Sequence, residues 1–404
     1  MKISRLQVQN FKSFDTVDVE LGDFNVLIGA NASGKSNFLS ILTFLRDIAR
    51  DGLKDAVSMQ SGEIELLRNV QLGRERPTEI RVEVGHGLDD PGSVPDFDWG
   101  AGVGPDSVKL SGFYYEIGLR HEESDFRIGR EEATWAGYFQ KESSDQRVFD
   151  VQSNSRESPY SEWDSHSPNG TLFTSSEDSK TSLLQVESHG LWTTFTREVF
   201  SSLRIFDFGT GRFDTGISSQ KGKSQLEENG QNVALVLRNL LKNPERRRKF
   251  LNLATVLLPF VEDADVDRFA GESLLMKLQE AHSGDRYLPA SLLSEGTVKV
   301  VSLIIALYFE NIWVGAFEEP ATSLHPKLIS QLMQMMTEVS EEKQIFITTH
   351  NPEVIKHVDL GDVYLVSRDD DGFSQISKPG DKTEVRTFLK NDLGIDDLFV
   401  QNLL

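Results

Sequence analysis

Eight consecutive residues near the N-terminus have the composition of a phosphate-binding loop. The segment Gly29-Ala30-Asn31-Ala32-Ser33-Gly34-Lys35-Ser36 matches the pattern G-x-x-x-x-G-K-[ST]. Glycines allow successive backbone N–H groups to face phosphate oxygens, and a helix that starts after the loop adds its positive dipole end. We therefore expect these residues and Asn37 to bind ATP. Lys35 would face the β and γ phosphates during catalysis, and the Ser36 hydroxyl would ligate Mg²⁺.

Two adjacent carboxylates follow an apolar run in the second half of the chain. Residues 312–317 form a strand-like run that ends in Glu318 and Glu319. Paired acids at the end of a buried strand are costly unless a metal or a function holds them. We expect Glu318 to help hold Mg²⁺, through a water molecule, and Glu319 to polarise the attacking water. The alternative is a surface Glu-Glu pair before a turn.

A histidine follows the next strand-like run. Residues 344–348 predict a buried strand that leads into Thr349-His350-Asn351-Pro352. This segment lies about 30 residues after the carboxylates, which is the spacing expected of a βαβ crossover. A histidine is usually structural, but at the carboxyl end of a core strand it is placed to contact a ligand. We expect His350 to sense the γ-phosphate.

A fourth segment, at residues 293–297, precedes an apolar helix. Ser294 can cap the helix that we predict over residues 298–308, and Gly296 permits a close backbone approach. With the positive end of the helix dipole, they would form an anion-binding end. The pattern is common by itself, and its position between the phosphate loop and the carboxylates makes it informative.

Hydrophobic periodicity supplies the elements that position these residues. Residues 24–28 predict a buried strand before the loop, and an apolar stripe from Phe38 to Ala49 predicts a helix after it. Further helices are predicted over residues 183–203 and 226–241, and strands over 204–208 and 363–366. A methionine-rich helix beginning near Leu328 predicts core packing.

Charge and composition restrict the partners. The chain of 404 residues has a formal net charge of −21 and no cysteine. This surface repels nucleic acid at long range, so a nucleic-acid contact is possible only at a local basic patch; adaptation to salt is another interpretation. The basic cluster at residues 242–249 predicts either a solvated helix start or such a patch. With no apolar run long enough for a membrane helix and no secretory signal, we expect a cytoplasmic protein without a membrane partner.

The four segments, in their order along the chain, resemble the ABC-type ATPase family, specifically its RecF-like, SMC-like and OLD-like soluble branch. The resemblance covers residues 1–85 and 200–404. It is carried by Asn10-Phe11-Lys12-Ser13-Phe14, Leu324-His325-Pro326 and Thr349-His350-Asn351-Pro352. It implies that Lys12 contacts the nucleotide near its α-phosphate, and that Ser294 and Gly296 act on the ATP held by a second protomer. Two positions depart from the pattern: Glu318 stands where aspartate is usual, and Thr297 where transporters carry glutamine.

The resemblance implies an α/β P-loop NTPase fold, with a mixed sheet, flanking helices and a β-rich polar insertion. We expect three segments: residues 1–84 with the phosphate loop, the insertion at 85–190, and residues 191–404 with the other site residues. Strands at 113–119 and 126–128 would lie in the insertion, among polar and partly disordered loops.

The expected function is ATP hydrolysis by a head-to-tail dimer, or a higher oligomer, that drives or gates a partner protein such as a nuclease or effector. DNA metabolism and anti-phage defence are the expected settings. The alternatives are a nucleotide-gated interaction protein with very slow hydrolysis, and a transporter ATPase subunit. Residues 351–404 are too few for a nuclease domain beside the elements already needed there. We interpret Asp369-Asp370-Asp371-Gly372 as a hairpin turn rather than a metal site.

Overall fold

The computed structural model describes most of the chain. The described residues are 2–61, 64–85, 107–122, 125–140, 146–154, 169–171, 182–185, 191–209, 217–219, 222–269, 273–381 and 399–400. Most of the polar loops predicted within residues 85–190 lie outside these ranges. The described part contains no helix that is both long and apolar enough to cross a membrane.

The chain combines strands and helices as the sequence predicts for an α/β fold, and they alternate from α6 to β16. In chain order, the strands are β1 Ile3–Phe11, β2 Phe14–Glu20, β3 Phe24–Ile28, β4 Thr78–Gly85, β5 Ser107–His121, β6 Phe126–Gln140, β7 Gln146–Asn154, β8 Asn169–Thr171, β9 Arg204–Asp207, β10 Ile217–Ser219, β11 Val261–Phe269, β12 Ser273–Glu280, β13 Tyr287–Pro289, β14 Val314–Glu318, β15 Gln344–Thr349, β16 Val363–Arg368 and β17 Ser374–Ser377. The helices are α1 Lys35–Asp51, α2 Leu53–Ser61, α3 Leu191–Ser201, α4 Val233–Leu241, α5 Pro244–Leu257, α6 Glu295–Tyr308, α7 Pro326–Ser340 and α8 Pro352–Ile355. Short 3₁₀ turns lie at Ile64–Leu66, Leu183–Gln185, Ala290–Leu292, Leu360–Asp362 and Pro379–Asp381.

The chain forms two compact units. The first unit contains residues 1–23, 30–203 and 366–377, and the second contains 24–29, 204–365 and 378–404. The chain passes between them inside the phosphate loop, after Gly29. The three segments expected from the sequence, 1–84, 85–190 and 191–404, stay a prediction.

The first unit is mainly antiparallel sheet. Its strand order is β8-β7-β6-β5-β4-β1-β2-β17, with parallel pairing only between β7 and β8 and between β2 and β17. The strands β5 to β8 form the described part of the predicted insertion. Aromatic side chains join the sheet to its helices: Phe113 of β5 lies 5.7 Å from Phe200 of α3, and Phe11 of β1 lies 6.0 Å from Phe44 of α1, measured between ring centroids. The apolar stripe of α1 is therefore buried as predicted.

The second unit is built on parallel strands in the order β16-β3-β15-β14-β9. A smaller antiparallel sheet, β10-β12-β11 with β13 beside β12, belongs to the same unit. The helix α6 is buried along nearly its whole length, from Gly296 to Leu307. Helix α7 buries its methionines, which confirms their predicted packing role. A helix that is apolar on most of its surface is typical of a buried position, so α6 belongs to the core of this unit.

Two predicted helices are shorter in the structure. The helix predicted over 226–241 begins only at Val233, because the Asn232 side chain bonds the backbone of the preceding loop. Its Oδ1 accepts from Glu227 N at 2.7 Å, and its Nδ2 donates to Gln225 O at 2.8 Å. The prediction was too long because the buried Leu226 lies at helical spacing from the apolar residues of α4 although it belongs to the loop. The helix predicted over 183–203 is a 3₁₀ turn at Leu183–Gln185 and α3, and residues 186–190 between them lie outside the described part.

Candidate functional site

The phosphate loop has the backbone shape that turns N–H groups toward an anion. It follows β3 and ends where α1 begins at Lys35. Ala32 and Gly34 have left-handed φ values of 62° and 118°. Alternation between left-handed and right-handed residues forms a concave nest of N–H groups. A Cβ on Gly34 would collide with the Ser374 side chain, so both φ and space require glycine there.

Side chains of the loop complement a chain of phosphates. Lys35 is buried to 9% exposure, and its Nζ donates to Ala30 O at 2.9 Å. The Ser33 Oγ is buried and has no hydrogen-bond partner among the described residues. A buried ammonium, a buried hydroxyl and a helix N-terminus all favour an anionic ligand. The residues present therefore fit the triphosphate that the sequence predicts.

A second layer fixes the loop in this shape. Within the first unit, Ser374 Oγ lies 2.6 Å from Ser33 O and 2.8 Å from Ser13 Oγ. Arg368 Nε donates to Ala32 O at 3.0 Å. Asn37, which the sequence assigns to nucleotide binding, donates from Nδ2 to Ser13 Oγ at 2.8 Å. Ser374 and Arg368 carry no recognisable sequence signal.

Lys12 occupies a strained turn between β1 and β2. Its φ is 48°, and its backbone N donates to Leu67 O at 2.8 Å. Its Nζ donates to Gln60 Oε1 at 2.9 Å, and burial lowers the pKa of the ammonium. Asn10 stabilises the turn, because its Oδ1 accepts from Asn69 N at 2.9 Å. The predicted contact of Lys12 with the nucleotide stays a prediction.

Three parallel strands bring the other predicted residues to one sheet edge. In the register of the second unit, Ile28 of β3 is opposite Thr349 of β15, and Thr348 is opposite Glu318 of β14. Gly29, His350 and Glu319 therefore follow neighbouring strands at their carboxyl ends. This is the edge at which α/β sheets bind ligands.

Glu319 is held at both its backbone and its carboxylate. Its φ of 43° is left-handed, which costs about 1–2 kcal/mol in a residue with a Cβ. Its N donates to Thr348 O at 2.9 Å. Its Oε1 accepts from His350 N at 3.1 Å and lies 2.5 Å from His350 Nδ1, and its Oε2 accepts from Thr349 Oγ1 at 3.1 Å. The strand register thus joins two predicted site residues directly.

The structure adds one acid that the sequence analysis missed. Asp207, the last residue of β9, is opposite Glu318 in the parallel register. A strand that ends in a carboxylate was a usable signal, but its neighbour in the sheet was unknown. Within the described ranges, no group of three or more His, Asp or Glu side chains could hold a metal by itself. Mg²⁺ in such sites takes one or two carboxylates and completes its shell with phosphate and water oxygens.

Ser294 caps α6 as predicted. Its Oγ accepts from Thr297 N at 3.2 Å and lies 2.9 Å from Thr297 Oγ1. Gly296 permits a close backbone approach, as predicted. In this structure the group that approaches it is the backbone carbonyl of Ser323 rather than a ligand. A Cβ at Gly296 would lie 2.8 Å from Ser323 O. The glycine therefore lets the first turn of α6 pack against the loop after β14.

Two further segments singled out in the sequence have the predicted local structure. The Asp369–Gly372 segment is a turn between β16 and β17, in which Gly372 N donates to Asp369 O at 3.0 Å and Phe373 N donates to Asp369 Oδ1 at 2.8 Å. The basic cluster is the start of α5, capped by Asn243, with Pro244 in the first turn. The predicted turn and the predicted helix start are confirmed, and the alternative of a basic patch at residues 242–249 stays a prediction.

The loop, the acid-ended parallel strands and the sheet order define an ABC-type P-loop ATPase of the RecF-like, SMC-like and OLD-like branch. The chain belongs to the family described as "AAA domain, putative AbiEii toxin, Type IV TA system", whose profile matches residues 24–356. Nucleotide use, usually with Mg²⁺, is a property of this class.

Curated relatives match over short segments. The chain is 45% identical over 47 residues to "Endonuclease GajA" from Bacillus cereus, a match that covers 12% of this chain and 8% of that protein. It is 50% identical over 46 residues to "DNA replication and repair protein RecF" from Streptococcus uberis, covering 11% of this chain and 13% of that protein. The matches thus span about a tenth of the length of either relative.

Solved structures match over almost the whole chain. A SmcHead bound to the C-winged helix domain of ScpA aligns with a TM-score of 0.52 at 13% identity, covering 93% of this chain and 98% of that one. An Smc head domain with an extended coiled coil, bound to the C-terminal domain of ScpA and derived from Pyrococcus furiosus, aligns with a TM-score of 0.51 at 12% identity, covering 97% and 99%. At this identity the likeness establishes the fold.

Proposed function

We propose that this protein binds and hydrolyses ATP as a head-to-tail dimer, and that closing and opening of the dimer drive or gate a partner protein. The observation that carries the proposal is the fixed carboxylate of Glu319, held by His350 and Thr349 at the edge where the phosphate loop begins. A glutamate kept in a strained backbone conformation by several long-range bonds is typical of a functional site.

The binding roles follow from the loop. Backbone N–H groups of residues 30–34 and the Lys35 ammonium would hold the phosphates, with Lys12 near the α-phosphate. Ser36 and Glu318 would hold Mg²⁺, and Asp207 is a further acid on the strand beside Glu318. When bound, Mg²⁺ offsets the charge that develops on the phosphate oxygens.

The bonding of Glu319 favours one of its two oxygens as the proposed base. A carboxylate oxygen has two lone pairs. Oε1 accepts hydrogen bonds from His350 N and from His350 Nδ1, whereas Oε2 has a single partner among the described residues, Thr349 Oγ1. Oε2 therefore keeps one lone pair, which would orient the attacking water and accept its proton. His350 would hold the carboxylate and sense the γ-phosphate.

In the proposed dimer, the ligand of the capped end of α6 is the ATP of the partner protomer. Ser294 and Gly296 lie at the N-terminal end of a buried helix, where the helix dipole favours an anion. In a head-to-tail pair these residues would close over the ATP of the partner protomer. The Ser294 hydroxyl, which now bonds Thr297, would turn toward phosphate on closure.

The names of similar proteins support a setting in DNA metabolism or anti-phage defence. One curated relative is titled an endonuclease and another a DNA replication and repair protein. The similar Smc heads are titled as bound to a domain of ScpA. We therefore favour a protein partner, such as a nuclease or effector, and the charge of −21 does not by itself favour nucleic acid.

A nucleotide-gated sensor with very slow hydrolysis is the second candidate. The observation that favours it is the saturated Oε1 of Glu319, because a carboxylate bonded this fully could be inactive until a partner loosens it. Both candidates bind ATP and differ in turnover.

The test measures ATP binding and phosphate release separately for the wild type, Lys35→Ala and Glu319→Gln, with Glu341→Gln as an exposed control on the same unit. We expect Lys35→Ala to abolish binding. Glu319→Gln should bind ATP and release phosphate about 10²–10³-fold more slowly, because an amide cannot accept the proton of water. Wild-type protein that binds no ATP would overturn the proposal. Binding with turnover no faster than that of Glu319→Gln would favour the sensor.

A further inference from the structure

Helix α6 carries a lysine in its buried interior. Lys299 is 2% exposed and lies five residues after the cap Ser294. Burying an ammonium costs several kcal/mol unless its protons are bonded and a counter-charge is near. The position of Lys299 therefore requires specific partners.

The partners of Lys299 are two backbone carbonyls. Its Nζ donates to Glu319 O at 2.8 Å and to Thr322 O at 3.2 Å. Both carbonyls belong to residues 319–323, which we call the catalytic turn. Burial lowers the pKa of the ammonium, whereas the carboxylates of Asp207, Glu295 and Glu319 oppose this shift. The ammonium thus closes the turn whose first residue supplies the proposed base.

A second contact joins the same helix to the far end of the turn. A Cβ on Gly296 would lie 2.8 Å from Ser323 O, so the first turn of α6 touches the catalytic turn without a side chain between them. Ser323 has a left-handed φ of 65°, like Glu319 at 43°. Two strained residues are therefore held against α6, one through Gly296 and the other through Lys299.

We infer that Lys299 is a positioning residue that transmits the state of the N-terminal end of α6 to the carboxylate of Glu319. The inference rests on the proposed function, in which Ser294 serves the ATP of the partner protomer and Glu319 serves its own. A displacement of α6 on closure over one ATP would then move the base at the other. Lys299 links the two ATP sites of the dimer through one protomer.

The chain offers a matched control at the other end of the same helix. Lys343 is a half-buried lysine whose Nζ donates to two backbone carbonyls, Leu307 O at 2.9 Å and Glu310 O at 2.7 Å. Burial lowers its pKa as well. Lys343→Met therefore removes the same kind of interaction from the same unit, but not from the catalytic turn. We compare Lys299→Met and Lys299→Gln with it; glutamine retains two N–H donors on a shorter chain.

The first readout needs no ATP turnover. Amide hydrogen exchange of the full-length protein should speed up by about tenfold or more in peptides covering residues 319–323 of Lys299→Met, and less in Lys299→Gln. Lys343→Met should leave those peptides unchanged and speed up exchange near residues 307–310. Unchanged exchange at 319–323 in both Lys299 variants would overturn the inference, whether or not the wild type hydrolyses ATP. If Lys299→Met does not fold, Lys299→Gln carries the comparison.

The second readout is steady-state hydrolysis. We expect Lys299→Met to lower kcat by about 10²-fold with KM within about twofold, because a small misplacement of a catalytic group has this effect. Lys299→Gln should fall between it and the wild type, and Lys343→Met should match the wild type. Combined with Ser294→Ala, Lys299→Met should give a non-additive change in kcat, whereas Lys343→Met should be additive. Additive effects in both cycles, or an unchanged kcat, would refute the link. A wild type without turnover would refute the proposed hydrolysis and leave the exchange result to decide the role of Lys299.

Discussion

The Nδ1 atom of His350 lies 2.5 Å from Oε1 of Glu319, and the backbone N of His350 donates to the same oxygen at 3.1 Å. A carboxylate can only accept hydrogen bonds, so Nδ1 carries the proton. His350 therefore fixes the orientation of the base, and its Nε2 remains for another ligand. The phosphate-sensing role proposed for His350 and the catalytic role proposed for Glu319 are therefore physically coupled.

This coupling predicts that removing the two side chains that hold Glu319, one at a time, lowers kcat by unequal amounts. His350→Ala should lower kcat by about 10²-fold or more, because it removes the Nδ1 bond to Oε1 and the ring that would face the γ-phosphate, and leaves only the backbone N bond on that oxygen. Thr349→Val is nearly isosteric and removes the bond to Oε2 at 3.1 Å, together with the bond that Thr349 Oγ1 accepts from Asn351 N at 3.0 Å. It should lower kcat by less than about tenfold. Phosphate-release assays with measured ATP affinity test this order. A larger loss in Thr349→Val than in His350→Ala would contradict it.

The head-to-tail arrangement predicts complementation between two inactive variants. Ser294→Arg places a bulky side chain at the capped end of α6, and Lys35→Ala removes the ammonium of the phosphate loop. Each variant alone should lack turnover. A heterodimer has one composite site with both Lys35 and Ser294 intact, so a mixture should recover up to about half the activity per mixed dimer.

Light scattering provides the matching assembly test. Glu319→Gln with ATP should form a dimer that Ser294→Arg prevents. A mixture that stays inactive, together with monomeric Glu319→Gln in saturating ATP, would argue against composite sites.

Gly296 should be far less tolerant of a methyl group than another glycine of the same unit. Gly296→Ala forces Ser323 O, 2.8 Å from the new Cβ, to move, and should cost about 1–3 kcal/mol of unfolding free energy. It should also lower kcat, because Ser323 belongs to the catalytic turn. Gly361→Ala is the control, since nothing lies within 4 Å of its Cβ position. Urea unfolding and ATP turnover of the two variants give the comparison; equal stability would contradict the close approach.

His121 makes the stability of the first unit depend on pH. Thr78 Oγ1 donates to Asn10 O at 2.7 Å and lies 2.8 Å from His121 Nε2, so Nε2 carries the proton, and the buried Nδ1 has no partner among the described residues. Burial and the nearby Arg68 lower the pKa of His121 from 6.5 to about 4. Because the folded pKa is the lower one, the unfolded state binds more protons between these values. This stabilising contribution is complete above about pH 6.5 and is lost as the pH falls toward 4.

The measurement is urea unfolding of the wild type and His121→Gln at pH 7.5 and pH 4.5. The wild type should lose about 1–3 kcal/mol more than the variant over this interval. Equal losses would show that His121 is not the responsible group.

Features encoded within a few residues could be predicted. The phosphate loop, the Ser294 cap, the helix start within residues 242–249 and the turn at Asp369–Gly372 each depend on neighbours in the chain. Their backbone geometry follows from residue type, because glycine, proline and short polar side chains restrict local conformations strongly. The helix start predicted at residue 226 was wrong. Leu226 is a buried leucine in a loop that lies at helical spacing from the residues of α4, and the side-chain bonds of Asn232 hold that loop.

Tertiary structure decided how the site residues meet. Glu319 and His350 are 31 positions apart, and Ser374 reaches Ser33 across 341 positions. The sequence predicted the ends of β14 and β15, but only the sheet order made them neighbours and placed Asp207 beside Glu318. In the sequence, Lys299 is one charged residue within an apolar helix. Its partners could not be predicted, because they are backbone carbonyls, which every residue type has. A contact to the main chain depends on where the chain passes, and packing of the whole unit determines that.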